Sequence, residues 1–128
     1  LDVKLKYLDE ENRRRMDIAH TYYGNIKNDA VRLPVLMGEG SNVYHIFPVF
    51  TPHRDVLQAF LLSKGIHTLI HYPIPPHQQT CYKEYNRFSL PVAEQLAREE
   101  LSLPLNPAMT HEEVAYVIEI INCKSLKL

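Results

Sequence analysis

Two histidines and a tyrosine, His71, Tyr72 and His77, flank a proline-rich turn and are the side chains best suited to binding a ligand. Imidazole and phenol groups can form hydrogen bonds through their polar atoms, while their rings present an apolar surface. The three prolines between Tyr72 and His77 restrict the backbone, which lowers the entropy lost on binding. The residue types and the stiffened backbone are therefore those of a segment that could build a binding site.

The residues alone favour a plainer interpretation, in which His71 and Tyr72 are half-buried at a strand end and their polar tips meet backbone or water. A metal site is a second alternative, because His67 and His71 share one face of the expected strand. Zinc needs further ligands at characteristic spacings, and the sequence has no C-x-x-C or H-E-x-x-H motif. We therefore expect no metal.

Two groups of positive charge could bind an anion. His53 and Arg54 come at a predicted helix start, where backbone N–H groups attract anions, but Asp55 is adjacent and an exposed ion pair is the more ordinary interpretation. The run of arginines at 13–15 points in several directions around a helix and faces nearby acids. We expect both groups to lie on solvated surface.

Helices and strands are predicted to alternate along the chain and to position these residues. The predicted helices run from about Val3 to Asn25, from the cap Thr51 to the stop Gly65, from Pro91 to Glu99 or Glu100, and from the capping box Thr110–Glu113 to Ile121. Their apolar faces are predicted to include Leu5, Leu8, Ile18, Ala19 and Tyr22 in the first helix, Val56 in the second and Val92 in the third. The predicted strands are Val43 to Phe50, Ile66 to Tyr72, and Leu101 to Leu105 with Pro104 interrupting it. Such alternation predicts an α/β (α+β) domain in which helices cover a small sheet of three or four strands.

Size and composition fit one globular domain, since the chain has 128 residues, of which 45% are hydrophobic and 23% charged. The net charge of -1 gives no electrostatic footprint for nucleic acid or an anionic membrane, so we expect neither partner. No apolar run approaches the ~20 residues that span a bilayer. Two cysteines in unrelated contexts are typical of a reduced, cytoplasmic protein.

The stretch Gly65 to Gln79 resembles a family signature. It reads G-I-H-T-L-I-H-Y-P-I-P-P-H-Q-Q and is similar to the small-domain pattern G-I-x-T-x-I-H-Y-P-x-P-x-H-x-Q of the DegT/DnrJ/EryC1/StrS family of sugar aminotransferases, which use pyridoxal 5'-phosphate (PLP). Residues 3–12 and 100–105 also resemble that family. His67-Thr68-Leu69 and Pro75-Pro76-His77 look most like the branch that aminates dTDP-linked 3-keto-6-deoxyhexoses.

The resemblance implies that the chain is the C-terminal small domain of a dimeric, fold-type I enzyme. Such an enzyme transfers an amino group, here expected from glutamate, to a dTDP- or UDP-linked keto-sugar for lipopolysaccharide or other glycan synthesis. The resemblance also implies a mostly antiparallel sheet, with the first long helix reaching back to a larger domain. His71 and Tyr72 would approach the nucleotide part of the sugar nucleotide in the neighbouring subunit's active site, and His77 would be a weaker contact of the same kind.

The residues that the family uses to hold PLP are expected in a large domain that precedes Leu1, and the absence of an initial methionine fits this expectation. The lysines present match no Schiff-base motif: Lys4, Lys6, Lys27, Lys64, Lys83, Lys124 and Lys127. We therefore expect this chain alone neither to bind the cofactor nor to catalyse transamination. Two alternatives stay open, a free-standing α/β regulatory module that binds a small anion or a partner, and a relative that uses the scaffold for dehydration or has no activity.

Overall fold

The structure of the protein is a computed structural model that describes residues 2–36, 38 and 40–123. The helices are α1 (Asp2–Leu5), α2 (Leu8–Asn25), α3 (Arg54–Ser63), α4 (Pro91–Glu99) and α5 (His111–Ile121). The strands are β1 (Phe47–Phe50) and β2 (Glu100–Leu103), and two 3-10 turns lie at Pro76–Gln78 and Thr80–Tyr85. No helix in this part of the chain has both the length and the apolar character needed to cross a bilayer.

The predicted first helix is divided into α1 and α2 by a turn at Lys6 and Tyr7. Ile18, Ala19 and Tyr22 are buried as predicted. Leu5 and Leu8 were predicted on the same buried face but are exposed, because only the C-terminal half of α2 reaches the core.

Strands β1 and β2 pair antiparallel, with Phe47 opposite Leu103 and Phe50 opposite Glu100. Single bridges extend this sheet on both sides, Arg32 with Phe50 and Leu69 with Ser102, both antiparallel. The predicted small antiparallel sheet is thus confirmed, although two of its four members contribute one residue each. The first predicted strand starts late, at Phe47, because Tyr44 has a positive φ of 53° that interrupts extended backbone.

The predicted strand Ile66 to Tyr72 is wrong in extent, since only Leu69 pairs with a neighbour in β2. Leu69 and Ser102 exchange both backbone hydrogen bonds, at 3.3 and 2.8 Å. Two residues later, the backbone N–H of His71 donates to the side-chain carboxylate of Glu100. A side chain therefore replaces the ladder partner at His71, and the strand ends there.

The core lies on one face of the sheet, against α2, α3 and α5. It includes Tyr22, Phe47, Val49, Leu57, Leu61, Leu101, Val114, Val117 and Ile121. The Tyr22 hydroxyl donates to the carbonyl of Pro104 at 2.7 Å, and burial raises the pKa of this phenol. The predicted capping box of α5 is confirmed, with Thr110 and Glu113 bonded reciprocally.

Helices α3 and α4 depart from prediction at particular residues. Helix α3 begins at Arg54 rather than directly after Thr51, whose hydroxyl accepts from the His53 N–H at 3.2 Å. Gly65 stops this helix as predicted, with a φ of 75°. Val56 of α3 and Val92 of α4 were predicted to face inward but are exposed.

Candidate functional site

A groove of about 360 Å³ lies on the sheet face opposite the core. Side chains of a strand alternate between faces, so Phe47 and Val49 enter the core while Pro48 and Phe50 line the groove. The other walls are the loop at 71–79 and the inner side of α4. The groove is therefore largely apolar, with polar groups at the His71 end.

His71 lies at one edge of this groove and is held at two points. Its backbone N–H donates to Glu100 Oε2 at 2.7 Å, and its ring Nδ1 is 2.9 Å from Ser102 Oγ. Ser102 Oγ in turn donates to Glu100 Oε1 at 2.5 Å. The position and the ring orientation of His71 are thus both set by β2.

Glu100 and Ser102 are buried, each 5% exposed, and neither was among the predicted site residues. The sequence does indicate that these two polar side chains lie together. Glu100 and Ser102 alternate with Leu101 and Leu103, so they must share one face of the strand. Their separation from His71 by 29 and 31 residues hides the contact from any local pattern.

Tyr72 lies beside His71 and is 70% exposed. The two rings meet edge to face, with centroids 5.4 Å apart, and the peptide bond between the residues is cis. Within the described chain the Tyr72 hydroxyl has no hydrogen-bond partner, so it is available to a ligand in the groove.

The structure does not bring His77 into the groove with His71 and Tyr72, because its ring is buried, with the residue only 6% exposed. His77 Nε2 lies 3.2 Å from Glu94 Oε1, which also accepts from the Leu90 N–H at 2.9 Å. The Leu90 hydrogen bond, aided by His77, holds the pKa of Glu94 below its usual range. His77 thus joins the proline-rich loop to the start of α4.

The other candidates lie apart from the groove. His67 is exposed and lines a different surface, beside Pro104 and Tyr116. Arg54 is committed to protein partners, the carbonyl of Ala97 and the carboxylate of Asp55, both at 2.8 Å. Among the residues described, no three His, Cys, Asp or Glu side chains are grouped to hold a metal ion.

The groove contains none of the lysines that the structure describes, and all of these are exposed: Lys4, Lys6, Lys27, Lys64 and Lys83. A lysine that forms a Schiff base with PLP must stand in the active-site cleft beside the cofactor. The described residues therefore do not fit the role of holding PLP covalently, although they line a groove that could accept a ligand.

Comparison with known proteins identifies the family. Residues 1–122 match the model of the DegT/DnrJ/EryC1/StrS aminotransferase family. The dTDP-3-amino-3,6-dideoxy-alpha-D-galactopyranose transaminase of Aneurinibacillus thermoaerophilus is 44% identical over 122 residues, which are 95% of this chain and 34% of that protein. The UDP-N-acetyl-3-dehydro-alpha-D-glucosamine 3-aminotransferase of Acidithiobacillus ferrooxidans is 31% identical over 94% of this chain and 33% of its own length.

Among solved structures, DesV of S. venezuelae, in complex with a ketimine intermediate, superposes with a TM-score of 0.89 at 35% identity. The alignment covers 94% of this chain and 33% of DesV, so the chain spans about a third of the length of the proteins it matches. These matches confirm the family resemblance predicted from Gly65 to Gln79, and the relative that is 44% identical is named for a dTDP-linked amino sugar. The chain belongs to the DegT/DnrJ/EryC1/StrS aminotransferase family.

Proposed function

We propose that this chain is the C-terminal small domain of a PLP-dependent aminotransferase that transfers an amino group from glutamate to a dTDP- or UDP-linked keto-sugar. Family membership supports the reaction class, and the names of relatives support a nucleotide-sugar substrate. The chain spans about a third of those relatives, which supports its role as one part of a larger enzyme. The aminated sugar would serve lipopolysaccharide or other surface glycan synthesis.

The observation that carries the substrate-binding role is the pairing of a fixed His71 with an exposed Tyr72 at the edge of an apolar groove. The walls formed by Pro48, Phe50 and Ala97 suit the flat faces of a base or a sugar ring. Binding sites for small molecules commonly combine such walls with a few placed polar groups. We assign His71 and Tyr72 to the nucleotide part of the substrate, and we assign His77 to holding the loop.

The chemistry belongs to the rest of the enzyme in this proposal. PLP, when bound, supplies the electron sink that makes transamination possible, and its lysine and phosphate site lie outside this chain. The enzyme works in the cytoplasm as a homodimer in which His71 and Tyr72 serve the neighbouring subunit's active site. The 128-residue chain alone is inactive.

Replacing His71 and Tyr72 with alanine in the full-length enzyme tests this role. We expect the KM for the keto-sugar nucleotide to rise about tenfold or more, because two hydrogen-bonding groups and their ring contacts are lost. Turnover should fall much less, since neither side chain takes part in proton transfer. Steady-state kinetics with the nucleotide sugar as the varied substrate give both values.

His67→Ala is the matched control, because His67 belongs to the same segment but lies outside the groove. Its KM should equal that of the wild type. An unchanged KM in the double variant would remove His71 and Tyr72 from the substrate site.

A further inference from the structure

We propose that Glu100 and Ser102 hold His71 in the neutral tautomer whose Nε2 accepts a hydrogen bond from an N–H or O–H group of the nucleotide sugar. Glu100 and Ser102 would then be positioning residues that decide what His71 can recognise. This inference rests on the proposed function for the identity of the ligand. The tautomer itself is a property of the ligand-free protein.

The hydrogen bonds among Glu100, Ser102 and His71 allow only one placement of the ring proton of a neutral His71. A serine hydroxyl has a single hydrogen, and Ser102 gives it to Glu100 Oε1 at 2.5 Å. The other oxygen of Glu100 is taken by the His71 backbone N–H at 2.7 Å. Ser102 Oγ can therefore only accept from His71 Nδ1, 2.9 Å away, so the proton of a neutral ring is on Nδ1.

A neutral imidazole carries one N–H, so Nε2 is left with a lone pair. Nε2 has no partner in the described part of the chain, and His71 lines the groove. The lone pair can accept a hydrogen bond from the imide N–H of a pyrimidine base or from a hydroxyl of the nucleotide's pentose. A phosphate oxygen offers only acceptors and cannot be its partner.

Burial allows Glu100 and Ser102 to determine the tautomer of His71. Glu100 and Ser102 are each 5% exposed, so water does not compete for their hydrogen bonds. Orientation by a second group is the usual way in which proteins select a histidine tautomer. His71 is bonded to Glu100 through its backbone N–H and to Ser102 through its ring. Together these two hydrogen bonds prevent the ring from turning to form other contacts.

Glu100→Gln tests the arrangement with almost no change in size. The amide oxygen of the new side chain must face the His71 N–H, so its NH₂ group faces Ser102. The Ser102 hydroxyl hydrogen then turns towards Nδ1, and the ring proton moves to Nε2. A group that donated to Nε2 in the wild type now meets another donor.

The tautomer is read from imidazole nitrogen shifts of the full-length enzyme labelled with ¹⁵N-histidine, without ligand, at about pH 8, above the ordinary histidine pKa of about 6.5. The His71 signal is identified by its loss in His71→Gln. We expect the proton on Nδ1 in the wild type and on Nε2 in E100Q. If E100Q does not fold, Ser102→Ala replaces it, because it removes the acceptor of Nδ1. A wild-type ring protonated on Nε2 overturns the proposal.

Calorimetric binding tests the consequence, with dTDP-glucose or UDP-glucose as the probe, whichever binds the wild type more tightly. E100Q should bind it about tenfold more weakly. If this difference disappears with the N3-methylated probe, the donor is the base imide; if it persists, the donor is a hydroxyl. Equal affinities of E100Q and wild type for the unmethylated probe overturn the ligand part of the proposal. If the double alanine variant of His71 and Tyr72 also binds like the wild type, the proposed function itself fails, whatever the tautomer.

Discussion

Glu94 of α4 joins this helix to the proline-rich loop through a contact with His77. Its Oε1 accepts from the Leu90 N–H at 2.9 Å and lies 3.2 Å from His77 Nε2. His77 is buried, whereas Tyr72 and Ile74 on the same loop are exposed. The exposed end of the loop, which borders the groove, is therefore joined to a buried anchor at its other end.

This anchor predicts a pH-dependent contribution to stability. The pKa of Glu94 is lowered from 4.5, first by the Leu90 hydrogen bond and then by His77. A depressed carboxyl pKa stabilises the fold fully above the unfolded-state value, and the contribution is lost as pH falls through the folded-state value. We expect Glu94→Gln to have a lower Tm than the wild type at neutral pH, and the difference to vanish in acid below 4.5.

Thermal unfolding of the two proteins across this pH range measures the effect. Glu112→Gln is a useful control, because Glu112 also has a lowered pKa but lies on α5, away from the loop. It should show a similar pH dependence without altering hydrogen exchange at 73–79, which Glu94→Gln should accelerate. A Tm difference for Glu94→Gln that does not change with pH would contradict an ionic role.

Residue types indicated part of the site. His71 and Tyr72 stand out because they are rings beside a proline-rich turn, and the structure places both at the groove. Glu100 and Ser102 could not be found in this way, since their partner is 29 and 31 residues away. His77 has the same residue type as His71, so only its burial distinguishes it from the candidate ligand contact.

At the scale of elements, helix α3 shows how one face supports the sheet. Leu61 is fully buried in the core, whereas its neighbour Leu62 is 55% exposed. Leu61→Ala should lower the free energy of unfolding by about 2–5 kcal/mol, because it removes buried contacts and leaves a cavity. Leu62→Ala should change it by less than about 1 kcal/mol. Denaturant unfolding of both variants gives the comparison, and equal losses would be incompatible with the packing of α3.

Elements determined by local sequence were the most predictable. The last helix begins at a capping box and continues with an apolar stripe, and α5 has both features. The segment Ile66 to Tyr72 has the β-branched composition of a strand, yet a strand also needs a continuous partner. That partner, β2, offers Leu69 one bridge and then presents the Glu100 carboxylate to His71.

At the scale of the whole molecule, the chain shapes an apolar groove but spans about a third of the length of its relatives. Its described lysines are all exposed and lie outside the groove. In the proposed enzyme, catalysis and substrate recognition are therefore divided between two parts of the protein. The dimer would bring them together by placing His71 and Tyr72 of one subunit at the active site of the other.

Activity in mixed dimers tests this division most directly. One subunit carries alanine at the cofactor-binding lysine outside this chain and keeps His71 and Tyr72. The other subunit keeps that lysine and carries alanine in place of His71 and Tyr72. In the purified mixed dimer, the intact lysine is served by the intact pair of the other subunit, so we expect a wild-type KM for the nucleotide sugar at half the wild-type turnover. A KM as high as that of the double alanine homodimer would contradict the account, because His71 and Tyr72 would then not serve the neighbouring active site.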